Sequence, residues 1–195
     1  MTSARKMESY RGFDLVADQG QGKGMAWKRG SDRFEASGND ADVMLGQLRQ
    51  EIDAAFPRVV VNLANDADRG DAFAEAYLEA FRRVVAKRKL PDSYRAMLRA
   101  LVRAPGHQLD DEQLRTAAKF SSVSGVNLHF GTLGLNLFHA MMDLGHQLDL
   151  PVTADGKPCH TCAIARQIRP GDRTTPGIWQ LYPETVAALR ALELD

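Results

Sequence analysis

Two breaks decide how the second half of this 195-residue chain can fold: Pro105-Gly106 and Phe120-Ser121-Ser122. Proline removes a backbone donor and clashes with the preceding turn, and glycine in a helix interior costs about 1 kcal/mol, so no regular helix runs through the first break. The apolar spacing on either side therefore belongs to separate short helices. One spans about Ser93 to Arg103, with Tyr94, Met97, Leu98, Leu101 and Val102 inward. The next opens at Asp110-Asp111-Glu112-Gln113, which has the form of a capping box, and buries Leu114, Ala117 and Ala118. A third starts near Val123 and turns Val126, Phe130, Leu133, Leu137, Phe138 and Met141 inward. Gly125, Gly131 and Gly134 weaken it enough to allow two pieces.

Downstream, Pro151 to Pro158 reads as a loop, Cys162 to Ile168 as a strand, Arg169 to Arg173 as a turn and Ile178 to Leu181 as a returning strand. Pro183-Glu184 then opens a last helix, proline being tolerated in a first turn. Three helices followed by a hairpin is the order of a winged helix. Upstream, Tyr10, Phe13, Leu15 and Val16 form an apolar run, and Gly20-Gln21-Gly22-Lys23-Gly24 a turn. Met25 to Lys28 and Arg33 to Ser37 are strands around a Gly30-Ser31-Asp32 hairpin. Asn39 or Asp40 caps a helix carrying Met44, Leu48, Ile52 and Ala55, and Pro57 ends it. Val59 to Val61 suits a buried strand or an extended connection. Asp68 can cap a long helix striped by Phe73, Tyr77 and Phe81, which Leu90-Pro91 terminates.

The expected fold class is α+β. A small β-β-β-α domain occupies residues 1–63, a connecting helix 64–90, and a tri-helical winged-helix-like domain 91–195. No segment approaches the roughly 20 apolar residues of a membrane-spanning helix, and the first seven residues are polar and basic. With two cysteines only, the expectation is a cytoplasmic protein without a disulfide framework.

Charge points to a partner. Lys and Arg number 25 and so do Asp and Glu, yet Arg82, Arg83, Lys87, Arg88, Lys89, Arg95, Arg99 and Arg103 face only Asp92 within their stretch. Such segregation in a neutral chain marks a local surface for an anionic partner, nucleic acid first, and DNA ahead of RNA. Arg95, Arg99 and Arg103 recur at i, i+4 and i+8 on one helix face, where a row of cations could track a phosphate backbone. Against this stands a solvated face neutralised by Asp110, Asp111 or Glu112.

The second and third helices have the layout of a helix-turn-helix, whose second helix offers its first turns to the major groove. The candidate readers are Ser121, Ser122, Ser124, Asn127 and His129. Asn suits adenine, but residues 120–150 contain no Lys or Arg, so the common Arg to guanine contact is missing. The competing reading is a bundle that packs against a protein partner or its own copy as a homodimer.

Other chemistry finds less support. Cys159-His160-Thr161-Cys162 resembles half a zinc site, with His107, His129, His139 and His146 as the remaining ligand choices and none at paired spacing. A redox use of the pair lacks the usual strand-to-helix setting, leaving an incidental pair of thiols as the default. Glycines 20, 22 and 24 precede strand-like residues rather than the Lys-Ser/Thr of a P-loop. Asp66 to Asp71 misplaces the glycine of a calcium loop. Asp71, Glu75 and Glu79 share a face, but Arg83 neutralises Glu79, and Ser124-Gly125 is no nucleophile elbow. The expectation is no enzyme and no cofactor or metal.

Three motifs carry a resemblance: Leu101-Val102-Arg103-Ala104-Pro105-Gly106, Val126 to Gly134 (Val-Asn-Leu-His-Phe-Gly-Thr-Leu-Gly), and Trp179-Gln180-Leu181-Tyr182-Pro183-Glu184. From about Tyr94 to Leu192 the chain resembles a helix-turn-helix-like domain of uncharacterised bacterial and mobile-element proteins, sometimes found beside HNH nuclease modules. The resemblance implies an accessory domain without catalytic residues. The N-terminal unit looks like small antitoxin domains only in its element lengths. Two functions are therefore expected: a nucleic-acid-binding accessory or regulatory protein of phage or mobile-element type, or a protein-interaction inhibitor of a nucleoprotein defence complex, anti-CRISPR-like, that ignores free nucleic acid.

Overall fold

The computed structural model describes residues 5–28, 33–56, 58–63, 70–87, 89–153, 155–171 and 175–194. These form a mixed α and β chain in two compact units, one made of residues 1–58 with 143–145, the other of 59–142 with 146–195.

The first unit holds a four-stranded antiparallel sheet in chain order, β1 (Arg5–Tyr10), β2 (Phe13–Asp18), β3 (Lys23–Trp27) and β4 (Phe34–Ser37), followed by α1 (Ala41–Ala55). The expected β-β-β-α unit gains a strand. The apolar run from Tyr10 to Val16 does not form one strand, because Arg11 (φ 47°) and Gly12 (φ 82°) turn the chain back within two residues. That turn is the tight hairpin type whose twist suits paired strands, and an arginine in its first position hides it from a glycine search. Arg11 is held there by its guanidinium, which meets Asp53 at 2.7 Å and donates to the Leu144 carbonyl at 2.6 Å. The alternating face of β2 buries Phe13, Leu15 and Ala17 against Met44, Leu45, Leu48 and Ile52 of α1. Asp40, rather than Asn39, caps that helix through the Asp42 and Val43 amides. The Gly30-Ser31-Asp32 hairpin and Pro57 lie outside the described residues.

The second unit contains β5 (Val60–Asn62), α2 (Asp71–Lys87), α3 (Asp92–Arg103), β6 (Gln108–Asp110), α4 (Asp111–Ala118), α5 (Val123–Asp143), β7 (Gln147–Asp149), β8 (Ala165–Arg169), β9 (Ile178–Leu181) and α6 (Pro183–Ala191). Division falls at Arg58 instead of Leu63, and the expected connecting helix is part of this unit, because α2 packs along α6. Its Phe73, Tyr77 and Phe81 rings pack tilted and edge-on along one buried stripe, with centroids 5.2 and 5.4 Å apart. The proposed Asp68 cap and most of the Asp66 to Asp71 loop lie outside the described residues.

Of the two expectations for Val59 to Val61 the strand is found, shifted to Val60–Asn62 with only Val61 buried, and it pairs in parallel with β7, a partner the sequence did not reveal. A second three-residue strand, β6, also went unread, because its Asp110 looked only like a helix cap. Asp110 is both: its carboxylate accepts from the Gln113 amide while the Gln113 side chain returns to the Asp110 amide. β6, β9 and β8 form an antiparallel sheet with β9 in the middle. The expected strand from Cys162 to Ile168 begins three residues later, since His160–Ala163 is a 3-10 turn.

Candidate nucleic-acid interface

The site is built from α3, α4 and α5. Helix α4 ends at Lys119, whose left-handed φ of 58° lets its amide and that of Phe120 reach back to carbonyls of the last turn. Arg115 clamps the same corner by donating to the Phe120 carbonyl at 3.3 Å. The chain leaves this cap through Ser121 and Ser122 and enters α5, a single helix of 21 residues rather than two pieces. The glycines that weaken it in isolation have a tertiary cause at Gly134. A Cβ there would come 2.0 Å from the His160 carbonyl oxygen, so only glycine lets the 3-10 turn lie on the helix.

Ser122, Ser124 and Asn127 are exposed on the first turns of α5. The Ser122 hydroxyl sits 3.4 Å from the Gly125 amide and helps start the helix. His129 is oriented differently. Its ring stacks on Phe120 with centroids 4.8 Å apart and a tilt of 15°, and its Nδ1 lies 3.2 Å from the Tyr94 hydroxyl. It joins the first turn of α3 to the second turn of α5, so it positions the helix instead of reaching out from it. Sequence reading passed over Leu128, which is 66% exposed beside Asn127. A leucine at solvent on the opening turns of a buried helix was visible as a gap in the apolar spacing.

The cationic run is divided between two helices by the buried Leu90 and the exposed Pro91. Arg82 and Arg83 on α2 both reach Glu79, at 3.7 and 3.9 Å, and Lys87 and Lys89 are exposed near the end of that helix. Arg88 lies outside the described residues. On α3, Arg99 and Arg103 are exposed, while Arg95 is half-buried with an Nε that finds no hydrogen-bond partner among the described residues. Arg103 borders an open groove with Asp110, Glu112 and Gln113.

The three acids that the sequence offers to this face each have a partner on α4 or near β9. Asp110 caps α4, and Glu112 pairs with Arg115 at 2.6 Å. Asp111 is only 8% exposed and takes hydrogen bonds from the Gly177 amide at 2.8 Å and the Trp179 indole at 2.9 Å. These bonds fasten the start of α4 to β9 and the segment before it. Arg103 makes no ion pair with a described residue.

Comparison with protein-family models, with curated proteins and with solved structures gave no match for this chain. What it does therefore has to be argued from the residues. Among the described residues, no helix is long and apolar enough to cross a membrane, and no group of three or more His, Cys, Asp or Glu is arranged to hold a metal ion.

Proposed function

We propose that the second unit is a winged-helix-like module and that the protein is a nucleic-acid-binding accessory or regulatory protein, with duplex DNA as its ligand. The observation that carries this reading is the order α3-β6-α4-α5-β7-β8-β9 with β9 central between β6 and β8, together with opening turns of α5 that stand in solvent. In a module of this kind α5 enters the major groove, and β8 and β9 are the strands of the wing. Ser124 and Asn127 supply hydrogen-bonding groups for base edges, and Leu128 an apolar surface for a thymine methyl. Arg99 and Arg103 supply phosphate contacts that fix the register without reading sequence. Duplex RNA is disfavoured because its major groove is too narrow for a helix.

A second reading keeps one specific support. Leu128 and Met142 are exposed on α5 at 66 and 45%, and that helix carries no Lys or Arg. Such a face suits a protein partner, as in an inhibitor of a nucleoprotein complex.

Fluorescence anisotropy of mixed-sequence duplex DNA at two salt concentrations separates the two. Binding that weakens steeply with salt, and further in Arg99→Glu/Arg103→Glu, supports the first reading. No binding at low salt removes it and leaves the protein interface.

A further inference from the structure

The Cys159-His160-Thr161-Cys162 segment is held far more firmly than an incidental pair of thiols requires. The Cys159 amide donates to the Pro151 carbonyl at 2.8 Å, and the Cys162 amide to the Cys159 carbonyl at 2.9 Å. Beyond the turn, Tyr182 Oη donates to the Cys162 carbonyl at 3.0 Å, Tyr77 Oη to the Ala163 carbonyl, and Thr185 Oγ1 to the Ile164 carbonyl at 2.7 Å. Three hydroxyls from α2, the end of β9 and α6 thus fix the backbone around the two cysteines. Gly134 of α5 closes the remaining side by admitting the His160 carbonyl.

The two sulfurs lie 2.6 Å apart, and their surroundings differ. Cys162 is 5% exposed, whereas Cys159 is half-buried. Both border a cavity of about 290 Å³ with Leu63, Pro151, Arg166 and Tyr182. The charged and titratable groups facing it are the two thiols, the Arg166 guanidinium from β8 and the Tyr182 phenol; among the described residues no carboxylate lines it. His160 turns away onto the Phe138 ring, with centroids 5.9 Å apart. Among the described residues the cavity offers two thiols with no carboxylate or histidine to complete four metal ligands, so the donor set fits thiol–disulfide chemistry better than a structural zinc.

We propose that Cys159 and Cys162 form a redox-active dithiol that exchanges with low-molecular-weight disulfides entering this cavity, Cys159 attacking and Cys162 resolving. The Cys159 thiolate attacks one sulfur of a disulfide RSSR, forming a mixed Cys159–S–S–R bond and releasing RS⁻. The Cys162 thiol then loses its proton to solvent and attacks Cys159 Sγ, forming the internal disulfide and releasing a second RS⁻. RSSR is reduced by two electrons and the cysteine pair is oxidised by two, so the exchange balances without another reactant. The asymmetry of protonation runs the same way. The hydrogen bond from the Cys162 thiol, aided by the Thr161 and Cys162 amides, lowers the Cys159 thiol to about pKa 7 against its desolvation, while the bond to Cys159 and burial raise Cys162.

The test uses the full chain, reduced and then exposed to oxidised glutathione, with intact mass and cysteine mapping as readouts. The expected product of the unaltered protein is the internal disulfide, two hydrogens lighter and free of glutathione. Cys162→Ala should instead stop at one glutathionyl adduct on Cys159, and Cys159→Ala should stay unmodified. Iodoacetamide should label Cys159 about threefold faster at pH 7 than in the denatured chain, a larger thiolate fraction being partly offset by lower nucleophilicity. Labelling of Cys159 should fall away below pH 7. An unaltered protein that stays reduced in excess oxidised glutathione overturns the proposal. So does a stable glutathionyl adduct beside an unreacted Cys162, or stoichiometric zinc that must be stripped before either thiol reacts. Since the first measurement needs no substitution, a variant that misfolds does not blunt it.

Discussion

Asp111 shows how one side chain decides whether a sheet and a helix stay together. Buried carboxylates are costly unless their lone pairs are met, and here a backbone amide and an indole N–H meet them. Replacing Asp111 with alanine leaves both donors without an acceptor, so we expect a loss of about 3 kcal/mol, read as a lower urea midpoint with unchanged slope. The room beside it is already used: a Cβ on Gly177 would stand 2.7 Å from the Asp111 carboxylate. His129 makes a similar point for the candidate site. It was expected among the base readers from its position in α5, yet stacking on Phe120 and contact with Tyr94 turn it inward. Tyr94→Phe should cost about 1 kcal/mol of stability, checked by denaturation.

At the scale of elements, α5 is a helix that its sequence alone would not favour. Gly125, Gly131 and Gly134 lower its intrinsic propensity, and burial of Val126, Phe130, Leu133, Leu137 and Met141 holds it continuous. The glycines of different helices should therefore respond oppositely to the same change. Gly134→Ala drives a methyl into the His160 carbonyl and should destabilise by about 1–3 kcal/mol, with Cys159 labelling altered because the turn must move. Gly46→Ala on α1 meets nothing within 4 Å and should stabilise by about 0.5–1 kcal/mol in a thermal melt. The long stripes of α1, α2 and α3 were readable because burial alternates at helical spacing over many residues. The three-residue strands β5, β6 and β7 were read weakly or not at all. So short a strand has no period of its own and exists only through its partner.

The whole molecule has zero formal charge, so any attraction for a polyanion must come from local segregation rather than from a global field. If Arg99 and Arg103 each neutralise a phosphate, the double charge reversal should lower the slope of log affinity against log salt by about two, and more if the new acids repel the backbone. An unchanged slope would place the phosphate contacts on another element, such as the end of α2. Asn127→Ala should behave differently, weakening binding to a preferred sequence by about 1–3 kcal/mol while leaving the salt slope intact.

The amino-acid sequence by itself determined the α+β class, the antiparallel sheet ahead of the helices, the end of α3, the start of α6, the capping box of α4 and the cationic row on α3. All of these are set within one or two helical turns or strand lengths by periodicity, proline, glycine and capping groups. Only the tertiary structure decided that α2 belongs with the second unit, that β9 lies between β6 and β8, and that Asp111 is spent on the Gly177 amide and the Trp179 indole. It also decided that Cys159 and Cys162 share a rigid turn over a cavity with Arg166. Each of these depends on groups tens of residues apart, whose meeting is fixed by how the apolar faces pack and which buried polar atoms find partners, and local spacing carries no record of either.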